Sequence, residues 1–353
     1  MFMKRILLVS PFPPPLGGIS VSVRRLHEVL IKSGYIAVGF NTQYENRILN
    51  KSKTLKFLKY LSLPLFLMIH KRFDVIHFHV SGVFPKVYVS LWRPLFSGNT
   101  RFIITIHGQI RHILTSKIGY FSLRKFDRII CVKPGDSIDL PKHLKQKTVE
   151  VPSFILPAIT DNCTGKLSEP VEAFLKRDTF KLLINGSIIC NQKFFDLYGF
   201  RDAIILLEQL RENGKNADLI LIVLGYPYSS ECQKYINSLK NYCISKKLNN
   251  NLLWIENANM ELWPLLKKVH VFLRPTKSDG DALSIRESLY LKIPVITSNV
   301  VPRPLDAILY DLNSENDFLN KTISVIENHS DYVSKIGDNN ISFAEKIIEQ
   351  YEN

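Results

Sequence analysis

The 353-residue sequence has few features that would support a metal cluster, a disulfide framework or a membrane span. Its five cysteines form no CxxC pair and no metal-ligand spacing, and their odd number favours reduced thiols in a cytoplasmic protein. The most lipid-like stretch, Tyr60–Ile69, contains Pro64 and falls short of the roughly 20 residues that a membrane-spanning helix needs. The apolar run near the N-terminus is too short for the core of a signal peptide and predicts a buried first strand instead.

Two common nucleotide-binding motifs are also missing from the chain. No G-x-G-x-x-G and no Walker sequence occurs, which argues against a nicotinamide dehydrogenase and a P-loop ATPase. No repeat or low-complexity segment indicates a solenoid or disorder. The chain does contain 46% hydrophobic and 22% charged residues, a globular composition at a length that favours two domains.

Positive charge is concentrated in the first half of the chain. Residues 1–150 contain 24 Lys and Arg against 7 Asp and Glu, whereas the remainder contains 22 against 25. This asymmetry predicts an anionic partner for the first half: nucleic acid, an anionic membrane surface or a phosphorylated acceptor; solvated lysines would give the same count. No recognition-helix motif or basic stretch interleaved with aromatics occurs, so we expect no nucleic acid partner.

Short apolar runs rich in β-branched residues alternate with segments of helical period, which predicts parallel sheets with crossover helices. The predicted strands are Arg5–Ser10, Ala37–Asn41, Val75–Phe78, Phe102–His107 and Arg128–Val132, then Lys181–Gly186, Asp218–Leu224, Leu252–Ile255, Val271–Arg274 and Pro294–Thr297. The clearest predicted helices are Ile19–Gly34, Phe200–Arg211, Ser230–Ser245, Glu261–Lys268, Ser284–Leu291 and Asn340–Tyr351. The fold class is therefore α/β, with two Rossmann-like doubly wound parallel sheets facing a central cleft.

Three prolines interrupt the pattern near residues 151–180, and we expect the connection between the domains there. The predicted domains are residues 1–155 and residues 156–335. Residues 336–353 are predicted to include a helix that packs back on the first domain.

In the first domain, candidate site residues follow the ends of predicted strands. Gly17 and Gly18 lie between the first strand and its helix, where glycine lets the backbone approach a ligand and the helix N-terminus attracts phosphate; an ordinary turn would look the same. His107 ends a strand and is expected to reach the cleft, unless it packs beside the loop. His77 and His79 share one face without a third metal ligand and are interpreted as structural.

The most specific local signal is the segment from Arg274 to Glu287, which follows a strand, turns at Asp279-Gly280 and opens a helix near Ala282. Ionised carboxylates accept hydrogen bonds from sugar and ribose hydroxyls. An acidic residue that favours the helix dipole would explain Asp279 but not Glu287, which lies inside the helix.

Four motifs follow one another along the chain: the Gly-Gly loop, the TIHG strand end at 105–108, an acidic pair separated by seven residues, and SLYLKIPVITS. This order resembles that of the retaining GT-B glycosyltransferases of family 4. In that family both acidic residues are glutamates, whereas here the first is Asp279. The resemblance implies that Asp279 and Gly280 hold the donor sugar, Glu287 holds the ribose, His107 lies near the sugar, and Gly17 and Gly18 lie near the pyrophosphate. We predict that the catalytic residues are His107, Asp279 and Glu287, and that the donor-binding residues are Gly17, Gly18, Gly186, Ser187, Arg274, Lys277, Gly280, Asp281, Ala282 and Leu283.

One departure from the family concerns the cations that serve the donor diphosphate. The family has Gly-Arg after the first strand of the second domain and Lys-Gly later, whereas this chain has Gly186-Ser187 and Tyr198-Gly199. The candidates for the missing charges are Arg274, Lys193, Arg201 and Lys277. We favour Arg274, because it follows a strand and a guanidinium can bridge phosphate oxygens.

The resemblance implies transfer of a sugar from a nucleoside diphosphate to a saccharide or lipid-linked acceptor in the biosynthesis of bacterial surface polysaccharides such as O-antigen or capsule. It also implies that residues 1–155 bind the acceptor and that residues 156–335 bind the donor. Asp279-Gly280-Asp281 has the Asp-x-Asp form that holds metal in other glycosyltransferases, but we expect no metal and no other cofactor. A sugar-nucleotide epimerase, a phosphorylase and a catalytically silent sugar-nucleotide-binding subunit are the alternatives.

The segment from Lys51 to Leu67 combines four lysines, Lys51, Lys53, Lys56 and Lys59, with large apolar residues. It predicts peripheral docking on the inner face of the cytoplasmic membrane, or a crossover helix whose lysines are solvated.

Overall fold

A computed structural model describes residues 3–352 of the chain apart from 14–15, 44–52, 71, 81, 96–98, 109, 158–166, 188–194, 225–228, 257–259, 315 and 339–341. The chain divides into two compact units. The first unit comprises Met1–Pro157 together with Ser342–Asn353, and the second comprises Ala158–Ile341.

The first unit is built on a parallel sheet with the strand order β2-β1-β3-β4-β5-β6. Its strands are β1 (Arg5–Ser10), β2 (Ile36–Asn41), β3 (Val75–Phe78), β4 (Arg101–Ile106), β5 (Arg128–Cys131) and β6 (Thr148–Glu150). The helices between them are α1 (Gly18–Lys32), α2 (Lys53–Ile69), α3 (Val83–Ser90), α4 (Arg111–Leu114), α5 (Lys117–Leu123) and α6 (Lys142–Lys145), with a 3₁₀ turn at Arg93–Leu95.

The second unit repeats this design with the parallel order β12-β11-β10-β7-β8-β9. Its strands are β7 (Phe180–Ser187), β8 (Ala217–Leu224), β9 (Leu252–Glu256), β10 (Val271–Arg274), β11 (Val295–Ser298) and β12 (Ile308–Tyr310). Its helices are α7 (Glu169–Leu175), α8 (Phe200–Glu212), α9 (Ser230–Ser245), α10 (Trp263–Leu266), α11 (Leu283–Tyr290), α12 (Asp317–Glu327) and α13 (His329–Lys335), with a 3₁₀ turn at Asn249–Asn251. The two doubly wound parallel sheets predicted from the sequence are confirmed.

Each sheet separates two apolar cores, because successive side chains of a strand point to opposite faces. In β1, Ile6 and Leu8 pack against the buried side of α1, whereas Leu7 and Val9 belong to the core under α2. Burial on both faces explains why the strands are continuous apolar runs rather than alternating ones.

The helix α14 (Ala344–Glu352) belongs to the first unit although it follows the second in sequence. Ala344, Ile347 and Tyr351 are buried in the core that contains Ile6 and Leu8. Lys4 donates a hydrogen bond to the Tyr351 carbonyl at 3.2 Å and also contacts the carboxylate at the end of the helix. The last described helix therefore completes one face of the first sheet.

Candidate functional site

The predicted site residues follow strands at the place where each sheet changes its direction of winding. In the first unit this point lies between β1 and β3, and in the second it lies between β7 and β10. Ligands of open α/β sheets bind beyond the carboxyl ends of the strands at such points. The two units therefore each offer one candidate site.

Gly17 and Gly18 lie at the start of α1, as the sequence predicted for a loop that enters a helix. Gly17 is the N-cap residue, and its backbone N–H donates to Ser20 Oγ at 2.9 Å. A Cβ atom added to Gly18 would meet nothing within 4 Å, so the space beside this residue is open. No acidic residue occupies the first turn, which leaves the positive end of the helix dipole available to an anion.

Three histidines lie together at the carboxyl ends of β3 and β4. His79 Nδ1 is 3.1 Å from His107 Nε2, and His79 Nε2 is 3.3 Å from His77 Nδ1. His77 and His79 are buried, whereas His107 is partly exposed. The sequence predicted that His77 and His79 share a face, but it did not predict that they contact His107.

All three imidazoles are held neutral by their surroundings. Burial, together with the neighbouring charge of Lys86, lowers the pKa of His107 to about 3. Burial, together with the neighbouring His107, lowers the pKa of His77 to about 3, and the pKa of His79 also lies well below its ordinary value because of burial and its two histidine neighbours. A neutral His107 offers one hydrogen-bond donor and one acceptor, but no charge.

The candidate site of the second unit is centred on a carboxylate between two arginines. Arg274 donates to Asp279 from Nε at 3.0 Å and from Nη2 at 3.1 Å, and Arg303 Nη1 donates to Asp279 Oδ2 at 3.0 Å. Asp279 Oδ1 also accepts the backbone N–H of Gly280 at 3.0 Å. These four bonds fill the acceptor positions of the carboxylate, so its direct contacts in this structure are to arginines rather than to an open cleft.

The network keeps a positive charge, because two guanidinium groups face one carboxylate. Burial alone would raise the pKa of Asp279, but the charges of Arg274 and Arg303 and their hydrogen bonds hold it below its ordinary value. Burial, together with the charge of Arg274, lowers the pKa of Arg303 although its contacts with Asp279 raise it. Arg303 Nη2 is buried and has no hydrogen-bond partner among the described residues.

A tyrosine occupies the position where the family has its lysine. The Arg274 guanidinium lies over the Tyr198 ring at 4.5 Å from its centroid, which is a cation–π contact. Tyr198 also packs against Gly186, where an added Cβ would come within 2.5 Å of Tyr198. Gly199 has φ of +72°, and a Cβ there would lie 2.2 Å from the Pro275 carbonyl oxygen. Both glycines are therefore required by the packing under Arg274.

The remaining predicted residues of the second unit that the structure describes lie in or before α11 and at the ends of other elements. Glu287 is buried inside α11, and Asp281 pairs with Arg286 at 2.6 Å. Ala282 is the N-cap of α11 without a side-chain cap, Leu283 begins the helix, and Ser187 ends β7. The Lys277 and Arg201 side chains are exposed, whereas Lys193 lies outside the described residues.

Sequence reasoning missed Arg303 as a member of this site. It lies in the segment Pro302-Arg303-Pro304, shortly after β11, which pairs with β10 in parallel. Since adjacent parallel strands end at the same edge of a sheet, this position after β11 was the available signal. Among the described residues, no three His, Cys, Asp or Glu side chains are arranged to hold a metal ion, and the expectation of metal independence stays a prediction.

Comparisons with known proteins agree with this architecture. Residues 16–152 match the model of Glycosyltransferase Family 4, and residues 186–349 match the model of Glycosyl transferases group 1. An uncharacterised glycosyltransferase of Methanocaldococcus jannaschii is 22% identical over 98% of this chain and 95% of its own. A UDP-Gal:alpha-D-GlcNAc-diphosphoundecaprenol alpha-1,3-galactosyltransferase of Escherichia coli is 25% identical over 74% of this chain and 68% of its own.

Among solved structures, Anabaena HepE in complex with UDP and glucose is similar, with a TM-score of 0.64 and 13% identity. The alignment covers 99% of this chain and 95% of HepE. The likeness to HepE shows the fold alone. The two family models match successive parts of the chain and show that it is a glycosyltransferase. The chain is a glycosyltransferase with the GT-B fold.

Proposed function

We propose that this chain is a retaining, metal-independent glycosyltransferase that moves a sugar from a nucleoside diphosphate sugar to a saccharide or lipid-linked acceptor in the biosynthesis of surface polysaccharide, O-antigen or capsule. The observation that carries the proposal is the pair Arg274 and Arg303 on Asp279, which leaves one positive charge beyond the carboxyl end of β10. Paired guanidinium groups suit a diphosphate. The E. coli relative, named for UDP-Gal and a diphosphoundecaprenol-linked acceptor, supports the same classes of donor and acceptor.

The proposed chemistry uses fixed charge to stabilise the leaving group. Negative charge grows on the diphosphate as its bond to the sugar breaks, and Asp279 holds Arg274 and Arg303 in place before that happens, so little reorganisation is needed. Neutral His107 hydrogen-bonds a sugar hydroxyl, and the Glu287 carboxylate accepts from the ribose hydroxyls. The resemblance to family 4 also assigns Gly17 and Gly18 to the pyrophosphate.

The experiment that tests the proposal combines a donor screen with product analysis. Thermal shift with UDP-, GDP- and ADP-sugars identifies the donor, because a ligand that binds only the folded state raises the apparent stability. The product from that donor and a lipid-diphosphate-linked sugar is then examined by NMR, with EDTA present. A retained anomeric configuration is expected. An inverted product contradicts retention, and activity that is lost in EDTA and restored by a divalent cation contradicts metal independence.

One alternative is favoured by a specific observation. Because the acceptor positions of Asp279 are filled by protein donors, the chain could bind a sugar nucleotide without transferring its sugar, as a catalytically silent subunit would. Stable donor binding with no product from any acceptor would support this alternative. Release of an epimerised sugar nucleotide without acceptor would support an epimerase.

Replacing Arg274 by alanine is expected to raise the dissociation constant for the free nucleoside diphosphate. A charge-assisted hydrogen bond contributes about 1.5–3 kcal/mol, which corresponds to about 10- to 100-fold in affinity. Asp279 keeps Arg303 as a partner, so we expect the variant to fold. Calorimetric titration is the measurement, and Arg286→Ala is the matched control because Arg286 pairs with Asp281 in the same segment. Equal affinity in wild type and Arg274→Ala would transfer the role to Arg303, Lys193, Arg201 or Lys277.

We also propose that the first unit docks on an anionic membrane through an outward face of α2, α3 and α5. The helices are contiguous: α3 packs on α5, and the Tyr60 and Tyr88 rings join α2 to α3 with centroids 6.5 Å apart. The exposed large apolar side chains described on the three helices are Leu61, Leu65, Met68, Ile69, Val83, Phe84, Ile118 and Phe121. Lys117, Arg124 and Lys125 are exposed on or next to α5. No helix within the described residues has the length and apolarity to cross a membrane.

The docking proposal predicts salt-sensitive binding to anionic vesicles. Each basic residue near an anionic leaflet contributes about 1 kcal/mol, screened within about 8 Å at physiological salt. We expect replacement of Lys51, Lys53, Lys56 and Lys59 by Gln to weaken binding by roughly 10-fold or more; Lys51 itself lies outside the described residues. The control replaces four exposed lysines of the second unit: Lys234, Lys267, Lys268 and Lys335.

Sedimentation with neutral and anionic liposomes at low and high salt measures the binding. The docking proposal is wrong if the protein does not bind anionic vesicles, or if the first-unit variant binds them as tightly as the second-unit control does.

A further inference from the structure

A buried chain of hydrogen bonds connects the C-terminal helix to His107. The Tyr351 hydroxyl on α14 is 2.7 Å from His77 Nδ1, and His77 Nε2 is 2.8 Å from Thr105 Oγ1. His79 then bridges His77 and His107 at 3.3 and 3.1 Å. Tyr351, His77 and His79 are almost fully buried, so bulk water does not compete for these bonds.

This chain of hydrogen bonds has a direction, because each neutral imidazole carries a single N–H proton. In one direction Tyr351 donates to His77 Nδ1, and His77 Nε2–H donates to Thr105. His79 Nε2–H also donates to His77 Nδ1, which thus accepts from both Tyr351 and His79. His107 Nε2–H donates to His79 Nδ1. This direction leaves His107 Nδ1 without a proton.

The opposite direction starts at the other hydroxyl. Thr105 donates to His77 Nε2, His77 Nδ1–H points at Tyr351 and His79, and His79 Nδ1–H donates to His107 Nε2. His107 then carries its proton on Nδ1. Each direction leaves the proton of one hydroxyl unpaired among the described residues, Thr105 in the first case and Tyr351 in the second.

The chemistry of the two hydroxyls decides between them. A phenol, with an ordinary pKa near 10, is a far stronger acid than an aliphatic alcohol and therefore the stronger hydrogen-bond donor. The direction in which Tyr351 donates and Thr105 accepts is thus the favourable one. Histidine tautomers follow from the hydrogen-bond network. Here the Tyr351 hydroxyl sets the tautomers of His77, His79 and His107.

We propose that Tyr351 is a positioning residue that fixes His107 as its Nε2–H tautomer, so that the bare Nδ1 accepts a hydrogen bond from a hydroxyl of the ligand. The inference of a sugar hydroxyl at this nitrogen rests on the proposed function, whereas the assignment of the tautomer does not. Among the described residues, His107 Nδ1 has no protein partner. Lys86 on α3, whose Nζ donates to the Gly82 carbonyl at 2.8 Å, is the charged group that faces His107.

The test reads the tautomers directly by ¹⁵N NMR of histidine-labelled protein. Pyridine-type and pyrrole-type nitrogens give separate signals, and a His107→Asn spectrum identifies which of the nine histidines is His107. We expect a protonated Nε2 and a bare Nδ1 in the wild type. Tyr351→Phe removes the donor, so its His107 is expected to populate the Nδ1–H tautomer.

Two variants separate this effect from simple loss of packing. Thr105→Val removes the acceptor at the other end but keeps the phenol, so the wild-type tautomer is expected to persist. Tyr35→Phe removes a different phenol, which donates to Glu352 of the same helix at 3.0 Å, and it is also expected to leave the tautomer unchanged. A wild-type His107 protonated on Nδ1, or the same His107 tautomer in wild type and Tyr351→Phe, overturns the proposal.

Kinetics provide the functional arm once a donor and acceptor are known. Loss of one correctly directed hydrogen bond corresponds to about a 3- to 10-fold fall in kcat/KM. We expect Tyr351→Phe to show this fall while the affinity for the free nucleoside diphosphate stays unchanged, because the diphosphate is assigned to the arginine pair. If no sugar transfer is found at all, the NMR result still stands or fails on its own.

Discussion

Replacing Asp279 by alanine is expected to lower the free energy of unfolding of the second unit by about 3–5 kcal/mol, because it removes the carboxylate that is hydrogen-bonded to two buried arginines. The Arg303 side chain is 1% exposed and that of Arg274 9%, so water cannot replace the lost charge without opening the core. The same change is expected to abolish productive donor binding, since both guanidinium groups lose the contact that orients them.

Urea unfolding followed by tryptophan fluorescence measures this effect. Trp254 and Trp263 lie in the second unit, so a Trp92→Phe background makes the signal specific to it. Asp281→Ala is the matched control, because the Arg286 side chain that it leaves is 18% exposed and a smaller loss is expected. Adding Arg303→Met to Asp279→Ala should restore part of the stability by removing one unpaired charge. A loss below about 1 kcal/mol in Asp279→Ala would refute a structural role for this carboxylate.

The second large effect is expected at Glu287, where Gln is expected to lower kcat/KM at least 100-fold. Two charge-assisted hydrogen bonds to ribose hydroxyls, at about 1.5–3 kcal/mol each, account for a loss of this size. Gln keeps the shape of the buried side chain but not its charge, so the variant tests acceptor strength rather than packing. Glu208→Gln is the control, since Glu208 makes an ion pair with Lys246 at 2.5 Å on the surface of the same unit.

Steady-state rates with the donor from the screen, alongside a thermal unfolding curve, complete the measurement at Glu287. Activity within about threefold of the wild type in a folded Glu287→Gln protein would exclude the residue from the donor site.

The sequence predicted the central strands well because both faces of each are buried. Arg5–Ser10, Val75–Phe78 and Val271–Arg274 have the predicted bounds. It missed β6 and β12, which are short strands at the sheet edges, where one side lacks a partner and the apolar signal is weak. The boundary between the two units, after Pro157, falls within the proline-rich stretch that was predicted as the connection. The sequence did not predict α7 in the same stretch, where Pro170 lies in the first turn of the helix, a position that favours proline.

The candidate site was predictable where a polar or charged residue lies at the end of a strand, as His107 and Arg274 do. It was not predictable where partners come from distant segments. Tyr351 and His77 are separated by 274 positions, and Arg303 meets Asp279 only because β11 pairs with β10. The local sequence pattern thus identified the edge of each sheet at which the candidate site residues lie. The hydrogen bonds that these residues make depend on tertiary contacts.

The position of α14 has a consequence for synthesis on the ribosome. At about 5–20 residues per second, the second unit and the last helix take roughly 10–40 s to emerge after residue 157. During that interval the first sheet has one face without Ile347 and Tyr351, and the nascent chain presents apolar surface that chaperones recognise. We therefore expect the first unit to become protease-resistant only after the second has been translated, so the order of maturation is the reverse of the order of synthesis.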